Sequence, residues 1–457
     1  MNLNFVRPQY RRGLFLTAGL LLILARAASA QEVALRVGED ILVSQGPEGK
    51  QLIEPHLAAH PTDPNHLLAV GWVYPEEGTQ PRSREEYCAV FLSSDGGSTW
   101  IQRDLRSIGC ADPWVTLTEQ RAILTALGTH ASLPDSLGGS QVIAFFSPDG
   151  GESWHENPQS LGRGHDGPRS IAGADGTVYF TSGQAWGGGA QTPRFTVFVG
   201  RARPGVPHVY TVERLYPSNL NLVSDGLAVL SDGTLVITYS DFQRKANGGF
   251  RTRAGVLERR RTWAMLSDDA GETFSLPLLV TESCYARPTF LAADTSSELY
   301  RDRLYHVCVG DGLQSILLTY SADRGEEWSA ATPIEPPASQ ARSRREPQVA
   351  VNRQGVVAVA WMDRRDDPSG QCYAPYIAAS ADGGRTFSPA VRVASELSCP
   401  DSTRTGEFVG RRWQTGGDYF GLVADAEGRF HVLWADARSG TFELWTAAVS
   451  VLASGRE

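Results

Sequence analysis

Acidic residues recur at seven points of the sequence where a loop gives way to a short apolar strand. Six of these seven strand openings carry a carboxylate, and the seventh carries Arg287. The six acids are Glu54, Asp112, Asp166, Asp225, Glu346 and Asp418. Around a common axis their carboxylates would form a ring that could bind Ca²⁺ through oxygen ligands, the candidate ligands being Glu54, Asp112, Asp225 and Asp418. The alternative is turn chemistry, because Asp caps turns and an acid before Pro suits the start of a strand.

A second set of charged residues lies at the ends of the strands that follow these openings. The pattern Trp-x-Asp-x-Arg occurs twice there, with Asp363 and Arg365 in one copy and Asp436 and Arg438 in the other. If Arg287, Arg365 and Arg438 converge, they would clamp an anionic group of a substrate through charge-assisted hydrogen bonds. The alternative is that each arginine of the pattern pairs with the aspartate of its own loop.

The element that must position these residues is a repeat. The octapeptide Ser-x-Asp-x-Gly-x-x-aromatic occurs five times, and its aspartates are Asp95, Asp149, Asp269, Asp323 and Asp382. The intervals between these aspartates are 54, 120, 54 and 59 residues, so the interval of 120 spans two units and one copy has decayed. Asp hydrogen-bonds the backbone ahead of it and Gly accepts a positive φ, so each octapeptide predicts a hairpin turn in which Asp is structural.

A nearly constant period over most of the chain is typical of a repeat architecture. Each of seven units contains short strands separated by turns, four in a complete unit and three in the last. An unassigned strand at residues 33–43 would complete the last unit and close the ring, which removes its open edge. We therefore predict an all-β protein in which residues 31–457 form one domain, a seven-bladed β-propeller, with six blades as the alternative count.

The propeller brings the charged residues to one face. We name the strands of a blade A to D from the axis outward, and these strands alternate in direction. The octapeptides, between strands C and D, then lie on one face. The openings of the A strands and the ends of the B strands lie on the other, which we call the axial face.

The octapeptide resembles the Asp-box, or BNR, repeat of the sialidase-like β-propellers, and the resemblance extends over nearly all of residues 31–457. Sialidases of that family bind the carboxylate of the substrate through three arginines, and use a Tyr assisted by a Glu as nucleophile and an Asp as acid/base. By position in the fold, these roles would fall to Tyr419, Glu346 and Asp363, with Arg287, Arg365 and Arg438 as the clamp. The first blade opens with Ile-Glu54-Pro where that family has Arg-Ile-Pro, and an acid there would repel a sialic-acid carboxylate.

Two functions are consistent with these residues. The first is a non-catalytic propeller that binds a glycan or an envelope protein at its axial face. Five tryptophans offer it possible stacking surfaces: Trp72, Trp114, Trp361, Trp413 and Trp434. The second is a retaining, exo-acting glycoside hydrolase of the sialidase type. The acid at Glu54 favours the first, and neither requires a cofactor, although the acidic openings make Ca²⁺ an ion to consider.

The six cysteines predict disulfides. Cys88 and Cys110 flank the first octapeptide much as Cys372 and Cys399 flank the last, so the repeat favours the pairs Cys88–Cys110 and Cys372–Cys399. Cys284 and Cys308 remain as the third pair. Buried free thiols are the alternative. No Cys-x-x-Cys or clustered His spacing predicts a zinc site.

Residues 1–30 predict a secretory signal peptide. Arg7, Arg11 and Arg12 precede an apolar run of about twelve residues, and Ala28-Ser-Ala30 offers a small-x-small cleavage site before Gln31. The run is shorter than the roughly twenty residues of a membrane-spanning helix, so we expect no membrane span after cleavage. The predicted location is the periplasm or the exterior of the cell, where disulfides are stable.

The composition excludes one class of partner. The 457 residues include 42 Lys+Arg against 51 Asp+Glu, a formal net charge of −9. Proteins that coat nucleic acids usually carry a basic excess, so we do not expect a nucleic-acid partner.

Overall fold

The fold is known from a computed structural model, which describes the chain between residues 33 and 453 with gaps. The described residues are 33–44, 50–74, 86–105, 108–130, 141–163, 165–184, 195–206, 208–216, 221–242, 260–336, 343–401, 405, 409 and 413–453. The predicted signal peptide, residues 1–30, lies outside them.

The first three blades are four-stranded antiparallel sheets, each formed by consecutive strands. Two strands precede them, β1 (Val33–Val37) and β2 (Ile41–Ser44). Blade 1 consists of β3 (Gln51–Ala59), β4 (Leu67–Tyr74), β5 (Tyr87–Ser93) and β6 (Ile101–Leu105). Blade 2 consists of β7 (Ile108–Leu117), β8 (Ala122–Thr129), β9 (Gln141–Ser147) and β10 (Gln159–Arg163). Blade 3 consists of β11 (His165–Ala172), β12 (Val178–Gln184), β13 (Phe195–Ala202) and β14 (Tyr210–Tyr216).

The next three blades repeat the same strand order. Blade 4 consists of β15 (Asn221–Val229), β16 (Leu235–Phe242), β17 (Arg260–Ser267) and β18 (Leu278–Cys284). Blade 5 consists of β19 (Ala286–Ala293), β20 (Leu304–Val309), β21 (Ile316–Ser321) and β22 (Thr332–Pro333), with a 3₁₀ turn at Asp311–Leu313. Blade 6 consists of β23 (Arg344–Val351), β24 (Val357–Asp363), β25 (Ala374–Ser380) and β26 (Val391–Arg392).

The seventh blade joins the two ends of the described chain. It contains β27 (Gly421–Ala424), β28 (Phe430–Asp436) and β29 (Glu443–Ala453), and both β1 and β2 pair with β29. The antiparallel register of β1 runs from Val33 opposite Ala453 to Val37 opposite Val449. The prediction of seven blades closed by the N-terminal strand is confirmed, and the six-blade alternative is wrong.

The B strands of blades 6 and 7 are buried along their whole length because each blade is covered on both faces by its neighbours. All seven residues of β24 are buried, as are all seven of β28. Apolar residues therefore run continuously in these strands and do not alternate with polar ones, as expected for a sheet between two packed layers.

The octapeptide forms the turn between strands C and D in five blades. In blade 1 the Ser93 hydroxyl donates to Asp95 at 2.9 Å and accepts the N–H of Gly97 at 2.9 Å. Asp95 also accepts the N–H of Thr99 at 2.9 Å, and the indole N–H of Trp100 donates to the Gly97 carbonyl at 3.1 Å. Asp149, Asp269, Asp323 and Asp382 accept equivalent bonds from the octapeptide serine and from the backbone four residues ahead. These aspartates therefore hold turns, and blade 3 has residues 203–209 in place of an octapeptide.

All six cysteines form the predicted disulfides. The bridges are Cys88–Cys110, Cys284–Cys308 and Cys372–Cys399, and the first two join adjacent blades. Because disulfides persist in oxidising compartments, three of them indicate a protein outside the reducing cytosol. No helix within the described ranges has the length and apolar character needed to cross a membrane.

Candidate functional site

The A strands of the first six blades begin with a break in register against strand B. In four blades the residue at this bulge has a positive φ: 52° at Glu54, 52° at Asp112, 56° at Gly167 and 53° at Glu346. Left-handed backbone costs a residue other than Gly roughly 1–2 kcal/mol. Three acids adopt it here, so neighbouring contacts must stabilise them.

The carboxylates of Glu54 and Asp112 bind the equivalent residue of the next blade. Oε2 of Glu54 accepts the N–H of Asp112 at 2.8 Å. Oδ2 of Asp112 accepts the N–H of Gly167 at 3.3 Å. The N–H of Glu54 donates to the carbonyl of Gly416, before blade 7, at 2.7 Å. These acids therefore link successive blades around the axis, and we call this series the blade link.

The six acids do not form a ring of exposed carboxylates. Their environments range from buried to exposed: buried Glu54, Asp225 and Glu346, half-buried Asp112 and Asp166, and exposed Asp418. In the described part of the chain, the only three His, Cys, Asp or Glu ligand atoms within 4.8 Å of one another belong to Cys284, His306 and Cys308. The predicted Ca²⁺ ligands Glu54, Asp112, Asp225 and Asp418 thus do not form a preformed set. Two of them are directed instead at the backbone of the next blade.

Aromatic side chains from non-adjacent blades meet across the axis. Trp114 of blade 2 stacks on His56 of blade 1, with ring centroids 3.6 Å apart. Its ring lies 6.2 Å from Phe290 of blade 5 and 5.6 Å from Tyr419 of blade 7. Together with Arg169 of blade 3, these residues form what we call the axial cluster. Side chains therefore fill the axis at this level, while Trp114 and His56 keep part of their surface exposed.

Arg169 is the buried cation of the axial cluster. Its guanidinium lies 4.2 Å from the centroid of the Phe290 ring, within the range of a cation–π interaction. One Nη donates across the axis to the carbonyl of Thr289 at 2.9 Å. Burial, aided by the charge of Arg169, lowers the pKa of His56 to about 3, so the imidazole is neutral. The cluster thus carries one buried positive charge on an aromatic surface.

Tyr419, the candidate nucleophile, is a buried member of the axial cluster. Its hydroxyl donates to the carbonyl of Pro113 at 3.0 Å. Burial raises the pKa of Tyr419 well above its ordinary value, and the charges of Glu54 and Asp112 add to the effect. A phenol that holds its proton this tightly and is bonded to a backbone carbonyl is poorly prepared for nucleophilic attack.

Glu346 occupies the bulge of blade 6 and differs from the acids of the blade link. One carboxyl oxygen accepts the hydroxyl of Thr415 at 2.5 Å. The other oxygen, Oε2, is buried and has no hydrogen-bond partner among the described residues. Burial raises the pKa of Glu346 to about 7, and the negative charge of Asp418 contributes. The proton of this carboxyl is therefore exchangeable near neutral pH, as acid–base chemistry requires.

Asp363, the candidate acid/base, is the centre of a buried ion-pair network. It accepts the N–H and guanidinium of Arg365 at 2.8 and 2.5 Å, the guanidinium of Arg344 at 3.1 Å and the indole of Trp361 at 2.9 Å. Both arginines also pair with Glu335. Although burial opposes it, these donors hold the pKa of Asp363 below its ordinary value. In this structure Asp363 is therefore held ionised within the network, and its role as a proton donor stays a prediction.

Arg438 repeats this arrangement in blade 7. Its guanidinium pairs with Asp436 at 2.7 Å and with Asp40, between β1 and β2, at 2.9 Å. The indole of Trp434 donates to the same Asp436 oxygen at 2.8 Å, and the guanidinium lies 4.3 Å from the Trp445 ring centroid. The Trp-x-Asp-x-Arg pattern thus stabilises its own blade through an ion pair and hydrogen bonds. In blade 7, Arg438 also binds Asp40, between β1 and β2, and so stabilises the N-terminal segment that closes the ring.

Two of the three arginines predicted to form the clamp are paired within their own loops. Arg365 and Arg438 are each bound to the aspartate of their own loop, as the alternative interpretation predicted. Arg287 lies on β19, and its side chain is outside the described residues. Trp361 and Trp434 are fully buried, so they offer no stacking surface; Trp72 and Trp413 pack edge to face against each other and are also buried.

Three members of the axial cluster were not predicted from the sequence, namely His56, Arg169 and Phe290. A signal for two of them was present. His56, Trp114 and Arg169 each follow the proline of an X-Pro opening, so the position after this proline faces the axis in three successive blades. Phe290 lies one residue further from its proline and has no such signal.

Comparisons with known proteins agree with this fold. No protein-family model and no curated protein match the chain. A solved structure of a Dyadobacter fermentans protein of unknown function has a TM-score of 0.53 and 14% identity, over 92% of this chain and 99% of that chain. A Hadza microbial sialidase has a TM-score of 0.48 and 11% identity, over 92% and 93%. Trypanosoma rangeli sialidase, in complex with 2,3-difluorosialic acid, has a TM-score of 0.46 and 11% identity, over 90% and 59%.

At 14% identity, the similarity to the Dyadobacter fermentans protein shows a shared fold alone. The similarities to the two sialidases, with TM-scores of 0.48 and 0.46, say nothing about activity. The fold and the site together define the class: a seven-bladed β-propeller whose axis is filled by an aromatic cluster around a buried arginine.

Proposed function

We propose that the protein is a non-hydrolytic propeller that binds a glycan at its axial face. The observation that carries the proposal is the axial cluster, in which Trp114 contacts residues of four other blades and remains partly exposed. The indole N–H of Trp114 donates to the carbonyl of Ser170 at 2.9 Å, so its orientation is fixed before any ligand arrives. Rigid aromatic surfaces with a few polar groups beside them are typical of small-molecule sites.

The charges around the cluster favour a neutral glycan over an anionic one. Asp112 is half-buried and Asp418 exposed at the same strand openings, and either would repel a carboxylate. The positive charge of Arg169 is buried against Phe290 and the Thr289 carbonyl. An envelope protein bound at the same face is the alternative partner.

The absence of hydrolysis is proposed from the state of the candidate catalytic groups. Tyr419 is a protonated, backbone-bonded phenol, and Asp363 is an ionised member of a salt-bridge network. A retaining glycosidase needs a nucleophile and a proton donor on the two sides of one bond. One observation favours the alternative: Glu346 has an unbonded buried oxygen and a pKa of about 7, which suits a general acid.

Two measurements test the proposal. On an array of neutral and sialylated glycans, we expect the protein to bind neutral glycans. Trp114→Ala should weaken that binding at least tenfold, measured by calorimetry. Trp154→Ala, which removes a half-buried tryptophan of the opposite face, is the matched control and should bind as the native protein does.

The second measurement separates binding from hydrolysis. With fluorogenic sialosides at acid and neutral pH, we expect no release above a blank, and no change in Tyr419→Phe. Turnover abolished by Glu346→Gln would establish the hydrolase alternative. An array without any bound glycan would refute the glycan ligand and leave the envelope protein as the partner to seek.

A further inference from the structure

A buried histidine lies against the disulfide that joins blades 4 and 5. His306 and Cys308 are two residues apart on β20 and project to the same side of the sheet. Cys284, at the end of β18, forms the bridge to Cys308. One ligand atom from each of Cys284, His306 and Cys308 lies within 4.8 Å of the other two.

The histidine has no other role in the described structure. Its side chain is 0% exposed, and neither ring nitrogen has a hydrogen-bond partner among the described residues. A buried imidazole without partners is destabilising, and such groups in proteins call for an explanation. The neighbouring hydroxyl of Thr262 is directed at Cys284 Sγ, at 3.8 Å, and not at the ring.

We propose that Cys284, His306 and Cys308 form a buried Zn²⁺ site when the disulfide is reduced. Two thiolates and one imidazole are a donor set that zinc prefers, with a fourth position left for water. Zn–S bonds of about 2.3 Å and a Zn–N bond of about 2.0 Å place ligand atoms roughly 3.5–3.8 Å apart. The three ligand atoms already lie within 4.8 Å of one another, so rotation of the two cysteine side chains after reduction would complete the site.

The exchange between the two states balances with a dithiol as reductant. The dithiol gives two electrons to the Cys284–Cys308 bond, which breaks to two thiols, while the reductant becomes a disulfide. Zn²⁺ then binds both sulfurs and one nitrogen of His306, and the two thiol protons are released. Oxidation reverses the exchange and expels the metal. The site would therefore hold zinc before the bridge forms or wherever a dithiol reopens it.

The other two bridges provide an internal comparison. Neither Cys88–Cys110 nor Cys372–Cys399 has a third His, Cys, Asp or Glu ligand atom within the same distance in the described ranges. The inference is therefore specific to the pair in which His306 participates, and it does not depend on the proposed glycan ligand.

Cobalt spectroscopy of the reduced protein tests the site. The full chain is unfolded, reduced with tris(2-carboxyethyl)phosphine and refolded without oxygen in the presence of Co²⁺. We expect one Co²⁺ per chain, with thiolate charge-transfer absorption and tetrahedral d–d bands that Zn²⁺ displaces. The oxidised protein should show none of these bands.

Variants identify the ligands. His306→Leu and Cys284→Ser should each weaken Co²⁺ binding at least tenfold, whereas His155→Leu, at an exposed position, should not. Circular dichroism verifies that each variant retains the β-sheet spectrum. Bands that persist unchanged in His306→Leu would overturn the proposal. So would a reduced protein that regains its β-sheet spectrum and shows no thiolate charge-transfer bands with Co²⁺.

Discussion

A carboxylate oxygen of Glu54 accepts the backbone N–H of Asp112, the equivalent residue of the next blade, at 2.8 Å. Both residues have φ of 52°, so a strained conformation and an inter-blade hydrogen bond occur together. The carboxylates of Glu54 and Asp112 therefore link blades 1, 2 and 3 at the axial face.

Glu54→Ala should destabilise the protein by about 1–3 kcal/mol, because it leaves the part-buried N–H of Asp112 without its carboxylate acceptor. Glu54→Gln keeps an acceptor oxygen at the same place and should cost less than half as much. Urea unfolding followed by tryptophan fluorescence measures both. Glu39→Ala, at an exposed position, is the control. Equal decreases in the free energy of unfolding for the Ala and Gln variants would show that the charge of Glu54, and not its hydrogen bond, stabilises the protein.

Glu346 should make stability fall as pH rises. Burial raises its pKa from 4.5 to about 7, so between these values the folded state binds more protons than the unfolded state. The free energy of unfolding attributable to this group should therefore decrease by about 3 kcal/mol from pH 4.5 to pH 7 and stay constant above. Glu346→Gln, which remains neutral, should match the native protein near pH 4.5 and exceed it at pH 8. Parallel pH profiles of the two proteins in urea unfolding would contradict this assignment.

Alanine substitutions at two glycines with positive φ should distinguish the cost of backbone strain from the cost of steric crowding. Gly151, in the second octapeptide, has φ of 109°, and a Cβ there would lie 2.6 Å from Leu68 of blade 1. Gly233 has φ of 90° and nothing within 4 Å of such a Cβ. Gly233→Ala should cost about 1 kcal/mol through strain alone. Gly151→Ala should cost about 1–3 kcal/mol more because the buried side chain of Leu68 must shift. Thermal melting followed by circular dichroism compares them, and equal melting temperatures would contradict the close packing of blades 1 and 2.

The buried ion pairs should contribute more to the free energy of unfolding than the exposed ones. Asp363→Ala leaves Arg344 and Arg365 with one fewer carboxylate in a buried network and should destabilise the protein by about 3–5 kcal/mol. Glu427→Ala removes a solvent-exposed partner of Arg429, 3.7 Å away, and should change stability by less than about 1 kcal/mol. Chemical unfolding measures both differences. A small effect of Asp363→Ala would contradict the stabilising role of this ion-pair network.

The sequence by itself determined the architecture. The octapeptides around Asp95 and Asp382 report a local event, a turn stabilised within eight residues, so their spacing counts blades without any tertiary information. The cysteine pairs followed from the same period, because Cys88 and Cys110 flank the first octapeptide much as Cys372 and Cys399 flank the last.

Only the tertiary structure decided the site, because ring closure brings together residues that the repeat does not relate. Tyr419 and Pro113 are 306 residues apart, and Arg169 and Thr289 are 120 apart, yet both pairs are hydrogen-bonded across the axis. The spacing of residues in the sequence did not reveal the direction of their side chains. Asp363 and Glu346 belong to one blade, but Asp363 accepts several hydrogen bonds, whereas Oε2 of Glu346 has no partner among the described residues. The sequence around His306 gave no signal for a zinc site. Cys284 belongs to the adjacent blade and approaches His306 only when the two blades pack together.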